Sequence, residues 1–289
     1  AEPLRVSLED IHNIETKGKW WLVGASWKDN MVGTESKYST DKMPDDLKKD
    51  QSMQEALLKL ARKQGMNTDI RRTIFITIMS AEDYLDAFEK LFKLGLNEVQ
   101  QREICRVVLQ CIGNEKTFNP YYMLVSKRLC EVDHSFKVTF QYCLWDFLRE
   151  CGEGDVGGLE RSSNEKFVES KDVRLSKIVN TAKFYAALIA DGALSLLILK
   201  SVNFLNIQKN GRIFLETLFV NTLLQLQTEG AQAVANIFGK AREMRTLSQG
   251  IVFFLVETVV QCKHSGIEEE EKKKVQWGCR IAQEVLNGK

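Results

Sequence analysis

"DIRRTIFITIMSAEDYLDAFEKLFKLGL", residues 69–96, is the stretch on which the fold class turns. Its opening, Thr73-Ile74-Phe75-Ile76-Thr77-Ile78, is β-branched or aromatic throughout, the composition that strands favour. The residues beyond it have helical spacing. Ser80 precedes Ala81-Glu82-Asp83 in a helix-starting S-x-x-D pattern. Tyr84, Leu85, Phe88, Leu91 and Phe92 then recur at three- and four-residue spacing, with Glu82, Asp86, Glu89 and Lys93 on the opposite face. Gly95 stops that helix. Asn97 and Gln100 cap the next, which carries Ile104, Cys105, Val108 and Cys111 on one side and ends at Gly113; Asn119-Pro120 opens a third. No loop here is long enough to fold 73–78 back into a sheet, no second strand-like run lies nearby, and a lone strand is not stable. Ile70, Ile74 and Ile78 fall at i, i+4 and i+8, and Asp69 is placed to cap. The segment 70–79 is therefore expected to be a helix packed on several sides.

The pattern runs on to the C-terminus. Phe136, Phe140, Cys143 and Phe147 form one stripe, Gly152–Lys171 reads as a polar loop, and Leu175, Ile178, Ala182, Tyr185 and Ile189 form another stripe. Gly192, Gly211, Gly230 and Gly266 punctuate further helical runs, and the last of the three prolines is Pro120. Helices in antiparallel pairs without exact repeat predict an all-α fold of HEAT-like stacked pairs, an architecture used mostly for binding.

Composition narrows the function classes. The 289 residues are 44% hydrophobic and 27% charged, a soluble globular profile. Forty Lys+Arg against 39 Asp+Glu leave no net charge to draw the chain to nucleic acid, so RNA contact needs a local basic patch. Seven scattered cysteines fit reduced thiols in the cytosol or nucleus. The apolar runs Ala193–Leu199 and Ile251–Val256 are too short to span a bilayer, and a soluble intracellular protein is expected, with no membrane partner.

Enzyme motifs are weak. Gly152-Glu153-Gly154-Asp155-Val156-Gly157 matches G-x-G-x-x-G, but it follows a helix rather than a strand, and Glu153 and Asp155 repel phosphate. Cys130-x-x-x-His134 and Cys262-x-His264 lack zinc spacing and fit buried thiols beside surface histidines. No cofactor, metal or catalytic residue is assigned; an enzyme with an unrecognised site near His134 is the competing class. Glu268–Glu271 followed by Lys272–Lys274 is a solvated helix face with Glu268/Lys272, Glu269/Lys273 and Glu270/Lys274 at i, i+4. Lys137-Val138-Thr139-Phe140 resembles a phosphatase-1 docking peptide, yet Phe140 sits on an apolar stripe, and core packing is the better reading. Trp20, Trp21 and Trp27 in "GKWWLVGASW", residues 18–27, are candidates for anchoring onto a partner or neighbouring domain. The acidic ridge Glu82, Asp83, Asp86 and Glu89 is a second candidate partner contact, and Arg62, Lys63, Arg71 and Arg72 are candidate RNA contacts.

The stretch "DIRRTIFITIMSAEDYLDAFEKLFKLGLNEVQQREICRVVLQCIGNEKTFNPYYMLVSKRLC", residues 69–130, resembles an MA-3 domain. The "GKWWLVGASW" segment ahead of it is similar to the region between the MIF4G and MA-3 modules of the nucleolar MIF4G-domain family. The likeness covers residues 18–150 closely and Lys171–Thr228 more loosely, the latter also similar to splicing-factor relatives. It implies the C-terminal part of such a protein: residues 1–68 a linker and end of the MIF4G region, 69–190 the MA-3 domain, and 191–289 C-terminal helical repeats. It further implies a nucleolar adaptor without chemistry of its own. Such an adaptor binds and regulates an initiation-factor-4A-type DEAD-box helicase in small-subunit ribosome biogenesis. Its partners are preribosomal proteins and pre-rRNA, with protein phosphatase 1 recruited through regions outside this chain. Splicing and translational repression are the related alternatives.

Overall fold

The computed structural model describes residues 45–157, 173–262 and 267–288, the side chains of 45–53 excepted. Trp20, Trp21, Trp27, His264 and Gly266 lie outside the described residues. The described residues from Ser52 onward form one compact unit, whose buried core runs from Ala61 to Leu286.

Among the described residues there is no strand, and eleven α-helices follow one another. They are α1 Asp45–Lys63, α2 Asp69–Met79, α3 Tyr84–Lys93, α4 Glu98–Asn114, α5 Pro120–Val132 and α6 His134–Glu150. After them come α7 Leu175–Ala190, α8 Lys209–Glu229, α9 Ala231–Gly239, α10 Arg245–Glu257 and α11 Glu269–Leu286. Single turns of 3₁₀-helix lie at Leu196–Leu199 and Val259–Gln261. The fold is all-α and HEAT-like, as the spacing predicts.

Thr73–Ile78 is helical despite its strand propensity, because its surroundings bury it. Ile74, Phe75 and Ile78 of α2 enter the core, and α2 packs on α3 and α4. Tertiary burial outweighs intrinsic preference, which separates helix formers from β-branched residues by only ~0.5 kcal/mol each. The cap is Thr68, whose hydroxyl accepts from the Arg71 N–H at 3.2 Å, rather than Asp69. Asn97 and Gln100 form the reciprocal box expected of them (2.9 and 3.1 Å), and Asn119 caps α5 ahead of Pro120. Helix α4 runs to Asn114, past Gly113, which is buried where the Lys177 side chain crosses.

One core threads the helices from the last turns of α1 to α11. The stripe Phe136, Phe140, Cys143 and Phe147 is buried, and so are Ile178, Ala182, Tyr185 and Ile189, whereas Leu175 is exposed. Phe140 is 0% exposed, which rules out the phosphatase-docking reading of residues 137–140. Phe214 of α8 lies 5.5 Å from the Phe147 ring and 6.4 Å from Tyr185, closing α6, α7 and α8 together. Buried polar groups cross between helices: the Tyr185 hydroxyl donates to Phe140 O at 2.8 Å, Trp145 Nε1 to Ile198 O at 2.7 Å, and Asn180 Nδ2 to Glu115 O at 2.9 Å. Each satisfies a group whose burial without a partner would cost about 1–3 kcal/mol.

The glycine-rich motif has a structural use. Its loop follows α6, and Glu153 turns inward so that Oε1 accepts from the Gln208 N–H at 2.8 Å, capping α8 from 55 residues away. A Cβ at Gly211, in the first turn of α8, would land on that carboxylate. Gly211 thus admits the cap rather than ending a helix, while Gly192 and Gly230 do end helices, with φ of 80° and 94°.

Burial lifts the Glu153 carboxyl above the ordinary carboxylate value, and the Gln208 hydrogen bond opposes that shift. The folded state therefore holds this proton more firmly than the unfolded one. The linked stability is complete below the ordinary carboxylate range and declines as pH rises through the lifted value. Glu153→Ala should lose about 1–2 kcal/mol with the cap. Glu153→Gln keeps the acceptor, and its stability relative to the parent should improve between pH 4 and pH 7 in urea titrations. A parent-to-Gln difference that stays flat across that span would contradict the burial argument.

Candidate functional site

Helix α3 is short and incompletely covered. Asp83 caps it, its carboxylate accepting from the Asp86 N–H at 2.8 Å, so the helix starts at Tyr84. Ser80, expected to start α3, instead ends α2. Glu82 and Asp83 consequently sit in the preceding turn and not on the helix flank. Asp86 accepts from the Glu82 N–H at 2.9 Å and from Lys90 Nζ at 2.6 Å, and the Lys90 hydrogen bond, ahead of the Glu82 one, lowers its pKa. Glu89 pairs with Lys93 at 3.5 Å. The expected acidic ridge is largely matched by its own helix.

The apolar arc is wider than the surface available to bury it. Helix α3 packs chiefly on α2 and α5, and only Ala87 and Leu91 are buried. Phe88, whose place on the apolar stripe predicts a core position, is half-buried; Leu85 and Phe92 are 44% and 45% exposed. The Phe88 and Phe92 rings meet at 4.6 Å between centroids with their planes tilted by 46°, and the Arg128 guanidinium lies 5.6 Å above Phe88.

Leu85, Phe88 and Phe92 fall at i, i+3 and i+7, one face of the helix. A hollow lies at each end of it. Leu85 lines one of about 240 Å³ with Tyr84, Leu124, Lys127, Arg128 and Glu131. Phe92 lines another of about 270 Å³ with Leu91, Leu96, Ile104 and Phe136. An apolar ridge between two hollows, rimmed by Lys127, Arg128 and Glu131, matches the arrangement of an interface: an apolar centre inside a charged rim. The sequence signal was present: six apolar side chains on a ten-residue helix are more than two neighbouring helices can bury.

The basic candidates divide. Arg71 is bonded to Glu103 of α4, and Arg72 to Asp69 and Met66 O. Arg62 and Lys63 are exposed in the last turn of α1. Sequence reasoning did not single out a third concavity. Helices α4, α6 and α7 enclose about 420 Å³ lined by Arg106, Gln110, Asn114, Asp146, Glu150, Arg174, Lys177 and Thr181 over Leu109, Cys143 and Phe147.

Cys130 is buried, which pushes its thiol up to about 12, away from the thiolate form a nucleophile needs, and His134 is exposed at the start of α6. Among the described residues no three His, Cys, Asp or Glu side chains gather as metal ligands, and no helix is long and apolar enough to cross a membrane. At α11, Glu268 is the N-cap and the pair present is Glu269–Lys272, at i, i+3 (3.8 Å), in place of an i, i+4 register.

Residues 70–195 match the MA3 domain family, so these capped helices define an MA3-type helical module. The chain is 38% identical to suppressor of glycerol defect protein 1 of Schizosaccharomyces pombe, over 88% of the chain and 31% of that protein. It is 32% identical to the human nucleolar MIF4G domain-containing protein 1, over 99% of the chain and 31% of that protein. A shorter likeness, 32% over 27% of the chain, is to the pre-mRNA-splicing factor cwf22 of Schizosaccharomyces pombe. The chain belongs to the family of nucleolar MIF4G-domain-containing proteins. It spans about a third of the length of these curated relatives.

Proposed function

We propose that this chain is a non-catalytic adaptor of the nucleolus that docks and regulates an initiation-factor-4A-type DEAD-box helicase during small-subunit pre-rRNA processing. The observation that carries the reading is the half-exposed apolar face of α3, rimmed by charge and built on a rigid packed module. The nucleolar placement rests on the names of the human and mouse relatives. Residues 69–190 form the MA-3 domain, 191–289 the C-terminal helical repeats, and 1–68 the linker with its tryptophans, a further contact for preribosomal proteins. Protein phosphatase 1 is recruited through regions outside this chain. Arg62 and Lys63, exposed and without an ion pair among the described residues, suit pre-rRNA phosphates better than Arg71 and Arg72, which are paired with Glu103 and Asp69.

The test is a titration of a purified helicase of this type with the chain, following binding by calorimetry and RNA-stimulated ATP hydrolysis. Saturable one-to-one binding with a changed hydrolysis rate is expected. Absence of binding at tens of micromolar, with hydrolysis unaltered, would remove the helicase from the account. The splicing likeness favours a second reading, in which the same face serves a spliceosomal partner; the two separate by which helicase binds.

A further inference from the structure

The cavity between α4, α6 and α7 is lined by paired carboxylates and by cations with donors to spare. Its two carboxylates are both engaged: Asp146 bonds Arg149, and Glu150 takes Lys177 Nζ on both oxygens at 2.8 Å. Arg106 gives one N–H to Glu103, and Arg174 gives Nη2 to Gly113 O and Asn114 Oδ1 at 3.3 and 3.2 Å. Each guanidinium keeps further N–H groups, and both line the cavity. Of the charged residues that line the cavity, three are cations, Arg106, Arg174 and Lys177, and two are carboxylates, Asp146 and Glu150.

An independent observation sits on the wall. Thr181 of α7 is 3% exposed and lines the cavity, yet its hydroxyl has no hydrogen-bond partner among the described residues. A buried hydroxyl without a partner is costly and asks for an explanation. A ligand oxygen in the cavity supplies one.

We infer that this cavity seats one nucleotide of single-stranded RNA, with a backbone phosphate held by Arg106 and Arg174 and accepting from the Thr181 hydroxyl. The apolar part of the lining, Leu109, Cys143 and Phe147, gives the nucleoside a surface to rest on. RNA is favoured over a phosphorylated peptide because two further exposed cations, Arg62 and Lys63, lie beyond the cavity. Gln110 and Asn114, on its rim, both reach Gln64, directly after Arg62 and Lys63 at the end of α1. Repeated cations suit a repeating phosphate chain, whereas a phosphopeptide needs only one anion seat. The site is separate from the α3 face, and failure of either leaves the other standing.

The test uses the full chain, fluorescence anisotropy and a labelled 15-nucleotide single-stranded RNA across a salt series, with melting curves as folding controls. R106A/R174A should bind about tenfold more weakly, with a salt slope shallower by about 1 to 1.5. T181V should melt at or above the parent temperature yet bind about threefold more weakly, a split that a merely structural role does not produce. Ultraviolet crosslinking of the unmodified chain, which needs no variant, should mark peptides within α4 and α7. Equal affinity in R106A/R174A, or crosslinks confined to other helices, would overturn the assignment. Binding of a phosphoserine peptide in preference to RNA would also overturn it and give the cavity to a phosphoprotein.

Discussion

Phe214→Ala should lower the stability of the 52–289 unit by about 3–5 kcal/mol, the usual cost of removing a fully buried phenylalanine. The side chain is 0% exposed, and its ring meets Phe147 of α6 and Tyr185 of α7 while sitting on α8. Those three helices cannot close onto the vacancy independently, because Tyr185 is pinned by its bond to Phe140 O and the start of α8 by Glu153. Relaxation is therefore limited and the cavity term stays large. Urea unfolding should move as one transition to a lower midpoint. Phe88→Ala is the internal comparison: half-buried, it should cost about 1 kcal/mol. Similar losses for both would mean that the two rings are equally buried, contrary to the structure.

The second large effect concerns binding. Changing Leu85 and Phe92 together to Glu places two charges on the apolar centre of the α3 face, where a partner would have to desolvate them. Central apolar contacts dominate interface energetics, and the pair should weaken helicase binding about 100-fold, close to 2.7 kcal/mol. Because both side chains are almost half exposed in the free chain, melting should change little. Glu82→Lys and Glu89→Lys provide the rim control. They should mainly alter the association rate and its salt dependence, since rim charges steer more than they hold. If the rim changes abolish binding and the apolar ones do not, the acidic turn is the contact and the ridge is not.

Much of the fold was legible because helix ends carry local chemistry. Asn97 with Gln100, and Asn119 before Pro120, are determined by neighbours three residues away or fewer, so spacing alone places them. Residues 73–78 were legible only through what brackets them. Capping at Ser80 was misplaced since Ser80 and Asp83 are both competent caps. Asp83 prevails where the chain turns, leaving Ser80 to close α2.

Long-range partners were not legible at all. Nothing near Glu153 in the sequence points to Gln208, and nothing near Gly211 announces a carboxylate packed against it. The site was mixed for the same reason. An apolar stripe says which residues prefer burial but not how much neighbouring surface exists to bury them. Thus Leu85 and Phe92 resembled core positions and are the exposed ridge. The acidic residues, prominent as a cluster in sequence, are mostly tied to the cap and to Lys90 and Lys93. Arg106, Arg174 and Thr181 are separated by up to 75 positions, and only the packing of α4 on α7 brings them to one cavity.

The measurement that bears most directly on the adaptor account is amide hydrogen exchange of the chain with and without a saturating initiation-factor-4A-type helicase. Protection should concentrate in Tyr84–Lys93 and the facing turns of Pro120–Val132, leaving α8 to α11 at their free rates. Protection absent from α3, or centred on the C-terminal helices, would contradict docking through this face.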